Sequence, residues 1–490
     1  MRCVRLDGAR SAAHALSAPC GFRPSALARG FVLNVGLMVD REAAELEALG
    51  SDVVERARRA GADVAEVSAR RGFDLSVRVR LGKTELVEEA GHRGLSLRVI
   101  SGQRVALAST SDVTESGIRR LVADAIELAE LSEKDAFAGP ADPSELCGPP
   151  HPDLDLYDPR VGEITAAEAI EFALQCERAA LASDPRITLS EGATFSRSTG
   201  VSAMVLSSGF SATQRGSYAS LSVAPVVEDE GGKKRRGHYW TANRYRDGLE
   251  DPEAVGIEAA RRTLRKLGAR KVPTTETPVI FDPDVSRSLV SAFAGCILGG
   301  AIWRKSSYLL EREGTEVASP LVTLVDDPLI PRAPGSRAFD GEGLRSRRNV
   351  VVDAGTLKTF LLDSYSGRKL SRRSTASAVR SGGVGPSTSN FVLQAGNITP
   401  EELIASTASG LYVTEMMGFG FNALTGDFSR GAGGFWIENG KLTFPVSEVT
   451  LSSNLDAMLK GIDAIANDLV LKTSTAAPTL RVNRMTLSGT

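Results

Sequence analysis

Histidine and cysteine are residue types that commonly bind zinc, and cysteine can also act as a nucleophile; this 490-residue chain contains four histidines and five cysteines. Neither type stands in a pattern that forms a site by itself, because the chain has no H-E-x-x-H and no C-x-x-C. The histidines are His14, His92, His151 and His238, and the cysteines are Cys3, Cys20, Cys147, Cys176 and Cys296. The pattern predicts reduced thiols in a cytoplasmic protein and no local zinc site.

Nucleophilic and nucleotide chemistry also lack a local signature. Cys296 lies in the apolar stretch SAFAGCILGG, where a buried, inert thiol is favoured because a reactive one needs a base and positive surroundings. No G-x-S-x-G elbow occurs, and the GKT triplet at residues 82–84 lacks the upstream glycine of a phosphate-binding loop. The residues alone therefore indicate no self-contained active site.

A glycine-rich segment, GFGFNALTGDFSRGAGGFWIENG at residues 418–440, is the most unusual stretch of the chain. It lacks the G-x-G-x-x-G spacing, and no Lys-Ser or Lys-Thr pair follows it to neutralise phosphate. We interpret it as a set of tight turns ending in a hairpin at Asn439-Gly440, where small residues let backbones approach closely.

Periodicity predicts the elements that would position any site in the first half. Helical spacing covers about 40–60, 112–130 and 165–182, and the alternation from Phe73 to Leu81 predicts a half-buried strand. Residues 187–246 predict short strands, including a hairpin at Gly231-Gly232 whose acidic and basic arms face each other. Asp251 and Pro252 predict the start of a further helix, which precedes a linker near residue 272.

The second half predicts a helix at 285–298 followed by many short strands and turns. The expected fold class is α+β, with a mixed α/β domain at 38–272 and a β-rich, largely antiparallel domain at 273–490. Residues 1–37 are basic and poor in acidic residues. They fit either an organelle transit peptide or, as we favour, a disordered or non-native extension upstream of a start at Met38.

Composition narrows the classes of partner. The chain is 42% hydrophobic and 24% charged, with a formal net charge of −2. Nucleic acid and anionic membranes reward a strong positive excess, so neither is an expected partner. No apolar run approaches the roughly 18–20 residues of a membrane span.

Long motifs across the C-terminal half resemble the TldD/PmbA family, and most closely its PmbA branch, also called TldE. They are WRKSSYLL, SRAFDGEGLRSRR, LLDSYSGRKLSRRSTASA and the stretch from Gly410 to Leu455 that contains the glycine-rich segment. The resemblance implies a subunit of a cytoplasmic, heterodimeric zinc metallopeptidase that cleaves unfolded or modified peptides in an internal cavity. The label "modulator of DNA gyrase" accompanies the family, and the near-neutral charge gives it no direct support.

The resemblance also locates the zinc chemistry in the partner. A TldD-type subunit carries H-E-x-x-x-H on a helix and a cysteine near its C-terminus. Alignment on Arg304-Lys305 places these three motif positions at Ser291, Ala292 and Cys296 of this chain, and no cysteine follows Cys296. We therefore expect no metal site and no catalytic residue here, with zinc bound by the TldD-type partner.

Peptide contact is expected from polar residues around the glycine-rich segment. The candidates are Thr414, Glu415, Asn422, Thr425, Asp427 and Arg430. An equally weighted alternative is structural, with Asp427 and Arg430 forming an internal salt bridge in a tight turn.

Two other functions stay open. The chain could be a stand-alone peptide-binding homodimer or adaptor without hydrolytic activity. It could also be an independent hydrolase that uses Cys296 or a serine.

Overall fold

The computed structural model describes residues 26–489, which form ten α-helices, three short 3₁₀ helices and twenty strands. The helices are α1 (Ala26–Arg59), α2 (Glu115–Leu131), α3 (Pro159–Gly162), α4 (Ala166–Ala182), α5 (Pro252–Leu264), α6 (Pro283–Cys296), α7 (Gly299–Trp303), α8 (Ser364–Lys369), α9 (Pro400–Ala405) and α10 (Leu455–Lys460). None of these helices combines the length and apolar character that a membrane crossing requires.

The strands of the described residues divide between the two halves of the chain. In the first half they are β1 (Val64–Arg80), β2 (Lys83–Ser101), β3 (Arg104–Thr110), β4 (Leu189–Leu206), β5 (Ser211–Glu228), β6 (Lys234–Arg236) and β7 (Tyr239–Asn243). In the second half they are β8 (Thr275–Phe281), β9 (Leu324–Asp326), β10 (Asn349–Asp353), β11 (Thr356–Leu357), β12 (Ala378–Arg380), β13 (Val384–Pro386), β14 (Phe391–Leu393), β15 (Ser409–Met417), β16 (Asp427–Glu438), β17 (Lys441–Asn454), β18 (Ile462–Ile465), β19 (Thr475–Ala476) and β20 (Leu480–Ser488).

The first seven strands form one antiparallel sheet in the order β3-β2-β1-β4-β5-β6, with β7 also paired to β5. One face of this sheet packs against two separate helix pairs. Helices α1 and α2 cover one end around Val67 and Leu97, and α4 and α5 cover the other end around Val77 and Phe195. Phe73 belongs to neither cluster and is 44% exposed, because it falls between the two helix pairs.

Within residues 26–489, no strand pairs with the outer edge of about half of β2. Strand β3 pairs with β2 only from Leu95 to Ser101, whereas β1 pairs with β2 along almost its whole length. Every residue from Lys83 to Arg93 is exposed. The outward backbone amides and carbonyls of this stretch are therefore available to another strand.

The second half is built around a six-stranded sheet in the order β17-β16-β15-β8-β20-β18, with smaller sheets beside it. Only β15 and β8 run parallel within it; the other pairs are antiparallel. Helix α6 contributes Leu289 and Phe293 to the large core that this sheet and its neighbours share. The expected α+β class with largely antiparallel sheets is confirmed.

Several local expectations need correction. Phe73 and Leu81 were expected on a buried face, yet both are exposed, since Phe73 lies between helix pairs and Leu81 lies in the turn before β2. The glycine-rich segment is not only turns, because residues 427–438 form strand β16. Its closing hairpin is confirmed: Asn439 and Gly440 both have positive φ, at 52° and 73°. Residues 1–25 of the predicted extension lie outside the described residues, and 26–37 belong to α1.

A buried ion triad joins the two halves. Glu66 on β1 is 2% exposed, and its Oε2 accepts hydrogen bonds from Arg98 of β2 at 2.9 Å and from Arg380 of β12 at 2.7 Å. The two guanidiniums lower the pKa of Glu66 even though burial opposes the charged form. The carboxylate thus has a partner from each half of the chain, Arg98 buried and Arg380 partly buried.

We expect Glu66→Gln to lower the free energy of unfolding by about 3 kcal/mol, because it leaves two largely buried guanidiniums without a counter-charge. Urea denaturation followed by circular dichroism measures this loss. The control is Glu115→Gln, which removes an exposed ion pair with Arg56 and should cost less than about 1 kcal/mol. Equal losses in the two variants would contradict the importance of the buried triad.

The buried carboxyl group of Glu342 makes the stability of the fold depend on pH. It is 3% exposed and accepts a hydrogen bond from the Ser364 amide at 2.8 Å. Burial and nearby Asp340 raise its pKa from 4.5 to about 7. Between these values the unfolded chain releases a proton that the folded chain retains, so this group makes stability fall as pH rises from about 4.5 to about 7.

We therefore expect Glu342→Gln, which keeps an acceptor for the Ser364 amide, to gain stability relative to wild type as pH rises. The two proteins should be similar near pH 4.5, and the variant should be more stable by about 1–3 kcal/mol at pH 8. Urea titrations at several pH values test this, with the surface variant Glu171→Gln as control. A difference that does not vary with pH would contradict the assignment.

Candidate functional site

Helix α6 is the element on which the resemblance places the family's zinc motif. Asp282 caps its N-terminus by accepting a hydrogen bond from the Val285 amide at 3.1 Å, and Pro283 occupies the first turn. One face of the helix packs into the core through Val285, Leu289 and Phe293. The residues on its other face are therefore the ones that could contact a ligand.

The three positions to which the resemblance assigns the motif carry side chains that are poorly suited to bind zinc. Ser291 is exposed, Ala292 packs partly against the core, and Cys296 is fully buried. The Cys296 Sγ lies 3.4 Å from the carbonyl oxygen of Ala292, and burial raises the pKa of this thiol to about 11. An exposed hydroxyl, a methyl group and a buried neutral thiol do not fit the ligand set that zinc requires.

The thiol-hydrolase alternative gains no support from these geometries. Cys296 has the buried, protonated character of an inert structural thiol. A second thiol, that of Cys147, lies 3.3 Å from Nδ1 of His151, a pair that sequence spacing did not single out. Cys147 is only 2% exposed, and burial raises its pKa, so it too is poorly suited to attack a substrate. Within residues 26–489, no group of three or more His, Cys, Asp and Glu side chains is arranged to hold a metal ion.

A cavity of about 480 Å³ lies where α5, from the first half, meets α6, β15 and β16 of the second half. Its volume is in the range of small-molecule sites. The polar and aromatic residues that line it are His238, Arg261, Arg262, Arg265, Lys266, Asp282, Asp284, Arg287, Ser288, Tyr412, Thr414, Glu415, Arg430, Phe435 and Asp468. The cavity is thus a polar, strongly charged space between the two halves.

Three of the six candidate peptide-contact residues line this cavity: Thr414, Glu415 and Arg430. Glu415 forms an ion pair across the junction, with 2.5 Å between its Oε2 and Nζ of Lys266. Its carboxylate therefore serves to hold the two halves together at the cavity wall. Thr414 and Arg430 remain the candidates that could face a ligand.

The other three candidates, Asn422, Thr425 and Asp427, are absent from the cavity wall and stabilise a turn. Thr425 Oγ1 donates to Asp427 at 2.7 Å, Asn454 donates to the Thr425 carbonyl at 2.9 Å, and Asn422 accepts from the Leu424 amide at 3.0 Å. The structure thus gives them structural contacts.

The alternative ion pair between Asp427 and Arg430 is not found within the described residues. Asp427 bonds instead to Thr425 and Asn454, and the buried Nε of Arg430 has no hydrogen-bond partner.

Sequence reasoning missed the basic side of the cavity. The C-terminal part of α5 and the residues after it present Arg261, Arg262, Arg265 and Lys266, whose three- and four-residue spacing puts them on one helix face. That spacing indicates a basic face on α5, but nothing in the sequence indicates that this face meets the second half. Burial lowers the pKa values of Arg265 and Arg430, and burial with nearby Asp284 raises that of Asp282 to about 7.

An exposed apolar loop lies at the start of the glycine-rich segment. Phe419 is fully exposed, and Met417 and Leu424 are 51% and 58% exposed. A Cβ on Gly420 would lie 1.7 Å from the carbonyl oxygen of Ser429, so close backbone packing determines the path of this loop. Three large apolar side chains so close in sequence are unusual on a surface without a partner.

Comparison with known proteins accounts for nearly the whole described chain. Residues 65–129, 159–267 and 274–489 match the models of domain 1, the central domain and the C-terminal domain of the PmbA/TldA metallopeptidases. The chain is 36% identical to the metalloprotease PmbA of Escherichia coli O157:H7, over 87% of this chain and 92% of that protein. It is 38% identical to the metalloprotease PmbA homologue of Haemophilus influenzae, over 91% and 96% of the two chains.

Solved structures agree with these matches. The crystal structure of a proposed modulator of DNA gyrase from Bacteroides thetaiotaomicron is 30% identical and superposes with a TM-score of 0.86, covering 91% of this chain and 99% of that one. TldE from Thermococcus kodakarensis shares the fold at 20% identity, with a TM-score of 0.78 over 90% of this chain and 100% of its own. The chain belongs to the TldD/PmbA family of metallopeptidases.

Proposed function

We propose that this chain is the non-catalytic, TldE-type subunit of a heterodimeric TldD–TldE zinc metallopeptidase that cleaves unfolded or modified peptides in an internal cavity. The zinc belongs to the TldD-type partner, and the complex is cytoplasmic. A metalloprotease TldD homologue of Haemophilus influenzae is also a relative of this chain, at 26% identity over 81% of it. One fold thus carries both kinds of subunit.

The residues of helix α6 at the zinc-motif positions are the observation that supports the proposal most strongly. The chain keeps the helix, its Asp282 cap and its packing into the core. At the positions of the zinc motif, however, it presents Ser291, Ala292 and the buried Cys296. Alanine cannot act as a general base on a metal-bound water, and the other two side chains do not make an adequate zinc site.

Two surfaces of the chain suit such a subunit, one for contact with the partner and one for binding a peptide. The apolar loop around Phe419 is suited to contact with a partner subunit, since large exposed aromatic side chains commonly anchor interfaces. The free edge of β2 from Lys83 to Arg93 can add a strand from an extended peptide through backbone hydrogen bonds. The same edge could also bind a peptide in the alternative function, a stand-alone peptide-binding homodimer.

The first test is to purify this chain with and without the TldD-type protein from the same genome. We expect bound zinc and cleavage of an unfolded peptide in the co-purified pair and neither in this chain alone. Metal analysis and mass spectrometry of the peptide products measure the two properties. Zinc and cleavage by this chain alone would refute the proposal, and failure of the two chains to associate would favour the stand-alone adaptor.

The second test concerns the apolar loop. We expect Phe419→Ser to weaken association with the TldD-type subunit by at least about tenfold, because an exposed aromatic anchor at an interface carries a large share of binding energy. Analytical ultracentrifugation or biolayer interferometry gives the dissociation constants. Leu131→Ser, which changes a 77% exposed side chain at the end of α2, is the control. Equal affinities for wild type and Phe419→Ser would exclude this loop from the interface.

A further inference from the structure

The cavity between α5 and α6 carries more basic than acidic residues. Six arginine and lysine side chains line it, against four carboxylates. Much of this charge is already paired within the protein. Arg261 and Arg262 both hydrogen bond to Glu258 at 2.7–2.8 Å, and Lys266 pairs with Glu415 at 2.5 Å.

Two arginines of the wall lack an acidic partner among the described residues. The Arg430 Nε is buried without a hydrogen-bond acceptor, and Arg265 stacks on the ring of Phe435 with its guanidinium carbon 4.2 Å from the ring centroid. Burial lowers the pKa of each, which means that the surroundings disfavour their charge. A buried N–H without an acceptor is costly, so an anion that reaches the half-buried Arg430 would supply the acceptor that its Nε lacks.

The acidic residues of the wall restrict the kind of anion. Asp468 already accepts hydrogen bonds from Thr479 at 2.9 and 2.7 Å, and Asp282 caps α6. Asp284 and Glu415 add negative charge to the same wall. A dianion such as phosphate would meet more repulsion from these groups than a carboxylate would. A planar carboxylate also matches the fork of a guanidinium.

The position of the cavity relates it to the proposed function. Arg287 and Ser288 of α6 line it, and Ser291 lies one turn further along the same side of the helix. A ligand anchored in the cavity would therefore lie beside the helix that carries the family's zinc motif in TldD-type subunits. In a peptidase, the planar monoanion that every peptide carries, whatever its sequence, is its C-terminal carboxylate.

We propose that this cavity is a subsite for the C-terminal carboxylate of an extended peptide, which the guanidiniums of Arg430 and Arg265 bind. The identification of the ligand as a peptide rests on the proposed function. The arginines that bind it both belong to this chain. The subsite orients one end of the peptide and performs no chemistry.

The test uses the full chain without its partner and a fluorescein-labelled, acid-free, unstructured decapeptide in two forms, with a free C-terminal carboxylate or a C-terminal amide. Fluorescence anisotropy should show about tenfold tighter binding of the carboxylate form to wild type. Arg430→Gln and Arg265→Gln should each reduce this preference to less than about twofold, whereas Arg430→Lys should keep part of it because the charge remains. Arg119→Gln, at a largely exposed arginine of α2, is the control and should keep the full preference.

Three outcomes would overturn the subsite: equal binding of the two forms by wild type, an unchanged preference in both glutamine variants, or displacement of the peptide by inorganic phosphate more readily than by acetate at equal ionic strength. The result is separable from the proposed function. A preference for the carboxylate in a chain that never assembles with a TldD-type protein would refute only the assembly, and a zinc-dependent pair without the preference would refute only the subsite.

Discussion

The buried carboxylate of Glu66 is the interaction on which the relative placement of the two halves depends. It holds Arg98 of its own sheet and Arg380 of the second half at the same time, so Arg380 has this counter-charge only when the two halves dock. A second link, between Lys266 and Glu415, fixes the end of α5 against β15. The two halves also enclose the charged cavity, which lies where α5 meets α6, β15 and β16 and therefore depends on how the halves dock.

In helix α6, different residues pack into the core and face outward, where they could take part in chemistry. Its cap and its apolar face make it a structural part of the C-terminal core, whatever its outward residues are. The exposed Ser291 can therefore change at little cost in stability because it contributes little to the core, whereas Ala292 packs partly against the core and Cys296 is buried in it. Under the proposed function, an outward position that is independent of the core would let one architecture supply both a catalytic and a supporting subunit.

Much of the fold could be predicted from local signals. The cap at Asp251, the proline after it and the Asn439-Gly440 turn all lie where their short-range chemistry indicated. Phe73 could not be placed correctly, because alternation reports which face a residue occupies and not whether a helix covers that point. Arg265 could not be assigned to the cavity for a similar reason: it lies 165 positions before Arg430, and only the docking of the two halves brings both side chains to one wall.

The glycines of the 418–440 segment have a consequence for how such proteins are recognised. A methyl group on Gly434 would lie 1.9 Å from the carbonyl oxygen of Tyr412, as severe a collision as the one at Gly420. Any chain with this strand path must therefore keep glycine there, whether or not it hydrolyses peptides. Glycines such as Gly420 and Gly434 in the longest motif, Gly410 to Leu455, are therefore explained by steric fit between backbones. A search that relies on this motif identifies the architecture and gives no information about the presence of the catalytic metal.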